Sequence, residues 1–187
     1  MSDTITTSIP GYKAGTWTID PTHSEVGFSI RHIMISKVKG TFDVFNATFI
    51  TAPNPVDSSV TASAQVASVN TNDANRDGHL RTGDFFEAAT YPTIDFVSTG
   101  AREVSGEFFV DGDLTIKGVT KPVTFEFDFG GFGTDPYGNY KGGATAKAVV
   151  NREDFGLTYN AALETGGVLL GSTVTITLEL QASLNQD

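Results

Sequence analysis

Alternation with a period of two runs through almost the whole chain, and it restricts the fold more than any other feature. Val26, Phe28 and Ile30 share one parity, while Glu25, Ser29 and Arg31 take the other. The pattern returns at Val60, Ala62, Ala64 and Val66, then at Val110, Leu114 and Ile116. It returns again at Val123, Phe125, Phe127 and Phe129, set against Thr124, Glu126 and Asp128. Its cleanest instance is the last, where Val174, Ile176, Leu178 and Leu180 alternate with Thr173, Thr175, Thr177 and Glu179. Successive side chains of a strand point to opposite faces, so each segment reads as a half-buried antiparallel strand. The phase breaks once: Phe42 and Val44 lie on one face, and Phe45, Ala47 and Phe49 on the other. A β-bulge near Val44 and Phe45 is predicted there, bending the sheet.

Turn signals at Pro53-Asn54-Pro55, Ser98-Thr99-Gly100, 117–122, 135–139 and Gly166-Gly167 divide the chain into about eight strands. A short helix is expected only around 79–89. The length suits one domain, taken as 15–184 and preceded by a flexible segment, 1–14. Many antiparallel strands with little helix leave two all-β architectures, a sandwich or a closed barrel. An eight-stranded barrel is wide enough to hold its own side chains or one small ligand. Alternation does not choose between them: Phe28, Phe96, Phe125, Phe127 and Phe129 either fill a core or line a tunnel.

Twelve basic residues against 22 acidic ones give a net charge of −10, which repels polyanions. Neither nucleic acid nor an acidic membrane surface is expected as a partner. There is no cysteine, so disulfides, thiolate metal sites and thiol nucleophiles are excluded. The first fifteen residues lack a basic start and an apolar run, and no later stretch is long enough to span a bilayer. The expectation is a cytoplasmic protein without stable membrane insertion.

Segment 76–86 concentrates the chemistry: Arg76, Asp77, His79, Arg81 and Asp84 stand directly before Phe85 and Phe86. Arginine offers a planar fork of donors to a phosphate or carbonyl, and the phenylalanines suit the apolar part of an amphiphile. The competing reading pairs Arg81 with Asp77 or Asp84 as local scaffolding. A third makes His79 a general acid or base oriented by Asp84. His23, His32 and His79 would be the imidazoles of a metal site. Yet His23 and His32 are nine residues apart, roughly 30 Å on a straight strand. No metal or cofactor is therefore expected. Asp111-Gly112-Asp113 lacks the bidentate glutamate that a calcium loop needs. Segment 151–156, Asn-Arg-Glu-Asp-Phe-Gly, reads as a turn whose glycine serves tight geometry.

Several motifs taken together resemble the YceI-like family of lipocalin-like, polyisoprenoid-binding proteins, over about 15–183. They are Asp20, His23 and Ser24; Phe28 and His32; Gly40 and Phe42; Arg76, Asp77, His79, Leu80, Arg81, Asp84, Phe85 and Phe86; Gly112, Leu114 and Thr115 with Gly118, Val119 and Thr120; and Arg152, Asp154, Phe155 and Gly156. The resemblance implies an eight-stranded antiparallel lipocalin-like barrel enclosing an elongated apolar tunnel, often in a homodimer. It implies a non-enzymatic role in binding, storage or transport of a polyisoprenoid or prenylated quinone. It makes Phe28, Ile30, Phe42, Phe85, Phe86, Phe96, Leu114, Phe125, Phe127, Phe129 and Phe155 candidates for the tunnel wall. Arg76, Asp77, His79, Arg81 and Asp84 become candidates for the lipid head group. The alternative is an enzyme acting on a lipid or small apolar substrate through His79.

Overall fold

In the computed structural model, residues 9–163 and 167–187 are described. Gly166 of the predicted Gly166-Gly167 turn and residues 1–8 of the N-terminal segment lie outside them. The strands are β1 (Gly15–Ile19), β2 (Glu25–His32), β3 (Ser36–Phe42), β4 (Phe45–Thr51), β5 (Ser59–Gln65) and β6 (Val69–Asn70). After a helix, α1 (Ala74–Leu80), come β7 (Thr93–Val104), β8 (Glu107–Ile116), β9 (Val119–Thr134), β10 (Tyr140–Asn151) and β11 (Leu170–Leu184).

Eight of these close a ring in the order β1-β4-β5-β7-β8-β9-β10-β11, because β11 pairs back onto β1. Every pairing is antiparallel. Strand β11 makes the closure possible through its length. Its residues 182–184 pair with β1, and its earlier residues, from Leu170 to Glu179, pair with β2. Strands β1 and β2 therefore lie end to end along one edge of β11, and β3 and β6 extend the sheet beyond them.

The kink between β1 and β2 is built around Asp20. Its backbone N–H donates to the Gln181 carbonyl at 2.7 Å, and its carboxylate accepts from the Thr22 N–H at 3.0 Å. The same carboxylate meets His23 Nδ1 at 2.9 Å and Lys141 Nζ at 3.3 Å. The His23 hydrogen bond, helped by those from Thr22 and Lys141, holds the Asp20 carboxyl below the ordinary aspartate range.

The phase change near Val44 takes another form than the predicted bulge. Asp43 and Val44 belong to no strand, and the chain breaks into β3 and β4 across them. Strand β3 pairs with β2 and β6, whereas β4 pairs with β1 and β5, so the chain changes neighbours at the break. Ser68 holds the corner: its hydroxyl accepts from the Val44 N–H at 3.0 Å, and its carbonyl accepts from the Asp43 N–H at 3.2 Å. The helix also lies earlier than 79–89. Asp73, three residues past the end of β6, caps it by accepting the Arg76 N–H. Most of 81–90 folds as successive turns.

The two ends of the barrel differ. Where β9 turns into β10, Trp17, Phe129, Phe132, Tyr140 and Tyr12 form an aromatic plug. Its ring centroids are 5.7 Å apart for Trp17 and Phe132, 6.0 Å for Phe129 and Phe132, and 6.1 Å for Tyr12 and Phe132. Trp17 Nε1 donates to Thr51 Oγ1 at 2.8 Å, and the Tyr12 hydroxyl donates to the Ala52 carbonyl at 2.7 Å. The described part of segment 1–14 is thus docked by Tyr12 rather than free. At the opposite end stand α1, the turns after it, the β2–β3 hairpin and the 152–160 turn.

Large inward rings need room on neighbouring strands, and glycine supplies it. Gly40 lies opposite Phe28 in the ladder, and a Cβ there would come within 2.4 Å of the Phe28 ring. At Gly112 a Cβ would meet the Phe96 ring at 2.4 Å and the Val97 carbonyl oxygen at 2.6 Å. Backbone oxygen cannot swing away as a side chain can. Gly112→Ala is therefore expected to cost about 1–3 kcal/mol through overpacking, read as a lowered denaturation midpoint. An unchanged midpoint would refute the close approach.

Candidate functional site

The inward faces of the strands do not meet at the barrel centre. They surround a cavity of about 370 Å³ whose wall is overwhelmingly apolar. Strand β2 contributes Phe28 and Ile30, β3 contributes Phe42, and the turns after α1 contribute Phe85 and Phe86. Phe96 comes from β7, Leu114 from β8, Phe125 and Phe127 from β9, and Phe155 from the turn after β10. The rings brace one another: Phe28 and Phe42 are 5.5 Å apart, Phe42 and Phe86 5.7 Å, and Phe96 and Phe125 5.1 Å. Ile176, Leu178 and Leu180 of β11, between β10 and β2, complete the wall.

Phe129 is the exception among the tunnel candidates. It has the parity of Phe125 and Phe127 but sits deeper, packed on Phe132, Phe108 and Tyr12 in the plug. The β9–β10 ladder shifts register between Gly143 and Ala144, beside Phe129, so parity alone does not carry its position along the barrel.

The polar cluster of segment 76–86 divides. Asp77 is buried, and its carboxylate accepts from the Thr71 N–H at 2.8 Å and the Thr71 hydroxyl at 2.6 Å. Arg76 donates from Nε to Thr71 Oγ1 and from Nη2 to the Thr71 carbonyl, both at 2.7 Å. These two residues fasten α1 to the end of β6. Arg81 pairs with neither Asp77 nor Asp84 but donates to the carbonyls of Ala67 at 3.1 Å and Val69 at 3.4 Å. Carbonyls of the 3₁₀ turn at Val66–Ser68 and of the edge strand β6 attract it instead.

His79 differs from the rest. Its Nε2 is 2.8 Å from Asp84 Oδ2, and its ring packs edge-on against Phe85 at 5.1 Å and Tyr159 at 4.9 Å. It belongs both to the cavity wall and, with 41 % of its side chain exposed, to the surface. With the far end filled by the plug, this end is the mouth. Arg76 also reaches the wall, whereas Asp77, Arg81 and Asp84 do not. Of the other histidines, His32 is in the wall and His23 is bound to Asp20 at the kink. Among the described residues no three histidine, aspartate or glutamate side chains gather as a metal site would require.

Arg152, which the sequence placed only in a turn motif, belongs to the cavity wall. Arg152, in the short 3₁₀ turn after β10, is only 5 % exposed. Its Nε donates to the Gly171 carbonyl at 2.8 Å, and its Nη1 to the carbonyls of Leu157 at 2.6 Å and Tyr159 at 2.8 Å. Nη2 is buried without a partner among the described residues, and no carboxylate there forms an ion pair with the guanidinium. Burial lowers the Arg152 pKa, with Glu153 opposing the shift. The turn expected over 151–156 is present, with Gly156 at φ 76°. What 151–156 did not disclose is that its arginine turns inward while its glutamate and aspartate stay outside.

The chain therefore presents a plugged barrel, an apolar cavity, and an aromatic and cationic rim. The model of the YceI-like domain matches residues 17–182. The UPF0312 protein SAS2572 of Staphylococcus aureus is 38 % identical over 172 residues, spanning 91 % of this chain and 98 % of the relative. The crystal structure of the Campylobacter jejuni YCEI protein superposes with a TM-score of 0.72 at 25 % identity, covering 96 % of this chain and 95 % of that one. A polyisoprenoid binding domain from Saccharophagus degradans shares the fold, with a TM-score of 0.63 at 17 % identity over 90 % of this chain and 98 % of that one. This chain belongs to the YceI-like family.

Proposed function

We propose that the protein binds the apolar tail of a polyisoprenoid-type lipid in its cavity and works as a carrier or store rather than a catalyst. The observation that carries this reading is the apolar cavity itself. A wall of aromatic and aliphatic side chains with so few polar groups has little to offer water. Each buried CH₂ contributes about 0.8 kcal/mol, so one five-carbon unit contributes roughly 4 kcal/mol before ordering costs. Two or three units give roughly 8–12 kcal/mol, from which association subtracts about 4–15 kcal/mol, so tight binding calls for a longer tail or for polar contacts at its head. The cavity lies near the lower end of the range of roughly 300–1,000 Å³ typical of small-molecule sites. A long chain would then leave part of its length outside. The Saccharophagus degradans domain, named for polyisoprenoid binding, supports the choice of lipid.

The polar end of the ligand belongs at the mouth, beside His79, Tyr159 and Arg152. An unpartnered buried guanidinium N–H favours an acidic or carbonyl-bearing head. A second reading rests on the His79–Asp84 pair, which has the form of an oriented acid or base. Organic extraction of the purified protein followed by mass spectrometry separates the two. A carrier yields an amphiphile at no more than one per chain, whereas a catalyst converts added prenyl lipid in excess of protein. Recovery of no lipid, with no binding of added prenyl alcohol, would sink the carrier.

Head-group selectivity tests Arg152 against Arg81. Arg152→Lys is expected to weaken a prenyl diphosphate by about 1.5–3 kcal/mol while leaving the matching hydrocarbon nearly unchanged. Arg81→Ala, which removes bonds to backbone carbonyls only, is expected to lower stability and affect both ligands alike. Equal losses for both ligands in Arg152→Lys would make that residue structural too.

Phe127 distinguishes a tunnel wall from a filled core. It is half-buried and touches the cavity, with Phe108 and Phe129 as aromatic neighbours on one side. Phe127→Ala in the lipid-free protein is expected to cost less than the roughly 3–5 kcal/mol of a fully packed phenylalanine. The rise in melting temperature on lipid loading is expected to shrink in the variant. A full-size loss with an unchanged lipid-dependent rise would place Phe127 in a packed core.

A further inference from the structure

The tip of the β2–β3 hairpin is Ile33-Met34-Ile35, and its composition conflicts with its geometry. Ile33 at φ 47° and Met34 at φ 60° occupy the left-handed region, where turns ordinarily use glycine or asparagine. Met34 is 55 % and Ile35 82 % exposed, and Val168 beside them is 41 % exposed. Three large apolar side chains at a turn tip favour neither the turn nor solubility in water. The tip also adjoins the cavity mouth. Ile33 N–H donates to the Leu169 carbonyl at 2.7 Å, and Leu169, Ile30 and His32 belong to the cavity wall.

The outer face of the same hairpin is cationic. From Glu25 to Asp43 the chain carries Arg31, Lys37 and Lys39 and no intervening carboxylate, within a protein of net charge −10. Arg31 lies directly opposite Lys37 in the ladder, an arrangement of like charges that weakens the hairpin. Among the described residues none of the three is in an ion pair, and all are exposed.

We propose that this hairpin docks the protein on an anionic lipid bilayer, with Met34 and Ile35 entering the interface and Arg31, Lys37 and Lys39 meeting the head groups. Two features select a bilayer over other occupants. The cations require a negative surface, which the strongly acidic body of a second copy offers only broadly. The tip is continuous with the cavity mouth, so docking there lets a lipid tail pass between membrane and cavity with little exposure to water. That last benefit rests on the proposed carrier role; the docking surface itself does not.

Sedimentation with sucrose-loaded vesicles tests it. The full chain is expected to sediment with vesicles of equal phosphatidylcholine and phosphatidylglycerol, less with phosphatidylcholine alone, and less again as salt rises. Met34→Ser with Ile35→Ser, and separately Lys37→Glu with Lys39→Glu, are each expected to weaken association about tenfold or more, at about fivefold per cation lost. These exposed positions leave thermal unfolding as a control for folding. Binding of geranylgeraniol without vesicles reports the cavity independently and is expected to survive both pairs of substitutions. Protein that holds geranylgeraniol but ignores anionic vesicles would overturn the docking surface and leave the carrier reading intact. Vesicle association without geranylgeraniol binding would do the reverse. If the serine pair instead abolishes a dimer in sedimentation velocity and leaves vesicle association unchanged, the tip is a contact between copies and the proposal fails.

Discussion

Closure of the sheet through β11 is the constraint on which the rest depends. Each of the eight strands of the ring has a partner on both sides, so their backbone is satisfied without a filled centre, and the extension through β2 and β3 ends in an edge strand, β6. One fifteen-residue strand achieves this by pairing with β1 at one end and β2 along the rest. The cost is a kink, because β1 and β2 must both reach the same edge while β1 also pairs with β4. Asp20 settles that kink with bonds to Thr22, His23 and Lys141. Since its carboxyl is held below the ordinary range, this contribution is present at neutral pH, above the unfolded pKa, and is lost as pH falls through the folded value.

The strands were legible because period-two alternation is a direct image of a sheet with one wet face. The parities of Phe28, Phe125 and Leu178 predicted their inward direction. Parity carries no information about height along the barrel, and so Phe129 ends in the plug although its pattern matches that of Phe127. Likewise the flip near Val44 marks a real discontinuity, but a bulge and an exchange of neighbouring strands leave the same trace in a sequence. The helix was placed too late because the apolar run at Leu80, Phe85 and Phe86 drew attention from the Asp73 cap, which fixes where it begins.

The polar residues were harder to read, for a different physical reason. A charged side chain in a sequence invites pairing with a nearby opposite charge, yet here main-chain oxygens compete for the arginines. Carbonyls in turns and near strand ends have to be satisfied. Arg76 serves Thr71, Arg81 serves Ala67 and Val69, and Arg152 serves Gly171, Leu157 and Tyr159. The first two stand in a dense polar cluster that points to a site, whereas Arg152 appears only within a turn motif. Arg152 stood between Asn151 and Glu153, and nothing in that local pattern distinguishes an arginine folded inward from one in solvent.

Net charge is a poor guide to surface chemistry when charges segregate. A value of −10 excludes an acidic partner only if the basic residues are dispersed, and on the β2–β3 hairpin they are not. The Debye length is about 8 Å at physiological ionic strength, so a hairpin tip responds chiefly to its own three cations rather than to carboxylates across the barrel. The same asymmetry orders the molecule along its axis. Interlocked aromatic rings fill one end and leave little room for opening. At the other end His79, Arg152 and the apolar hairpin tip surround the entrance. A ligand with a long tail and a polar head fits such a gradient in one orientation, tail toward the plug and head toward the rim. On the proposed carrier role, a tail entering from a surface held against the rim would need the protein neither to reverse nor to unfold.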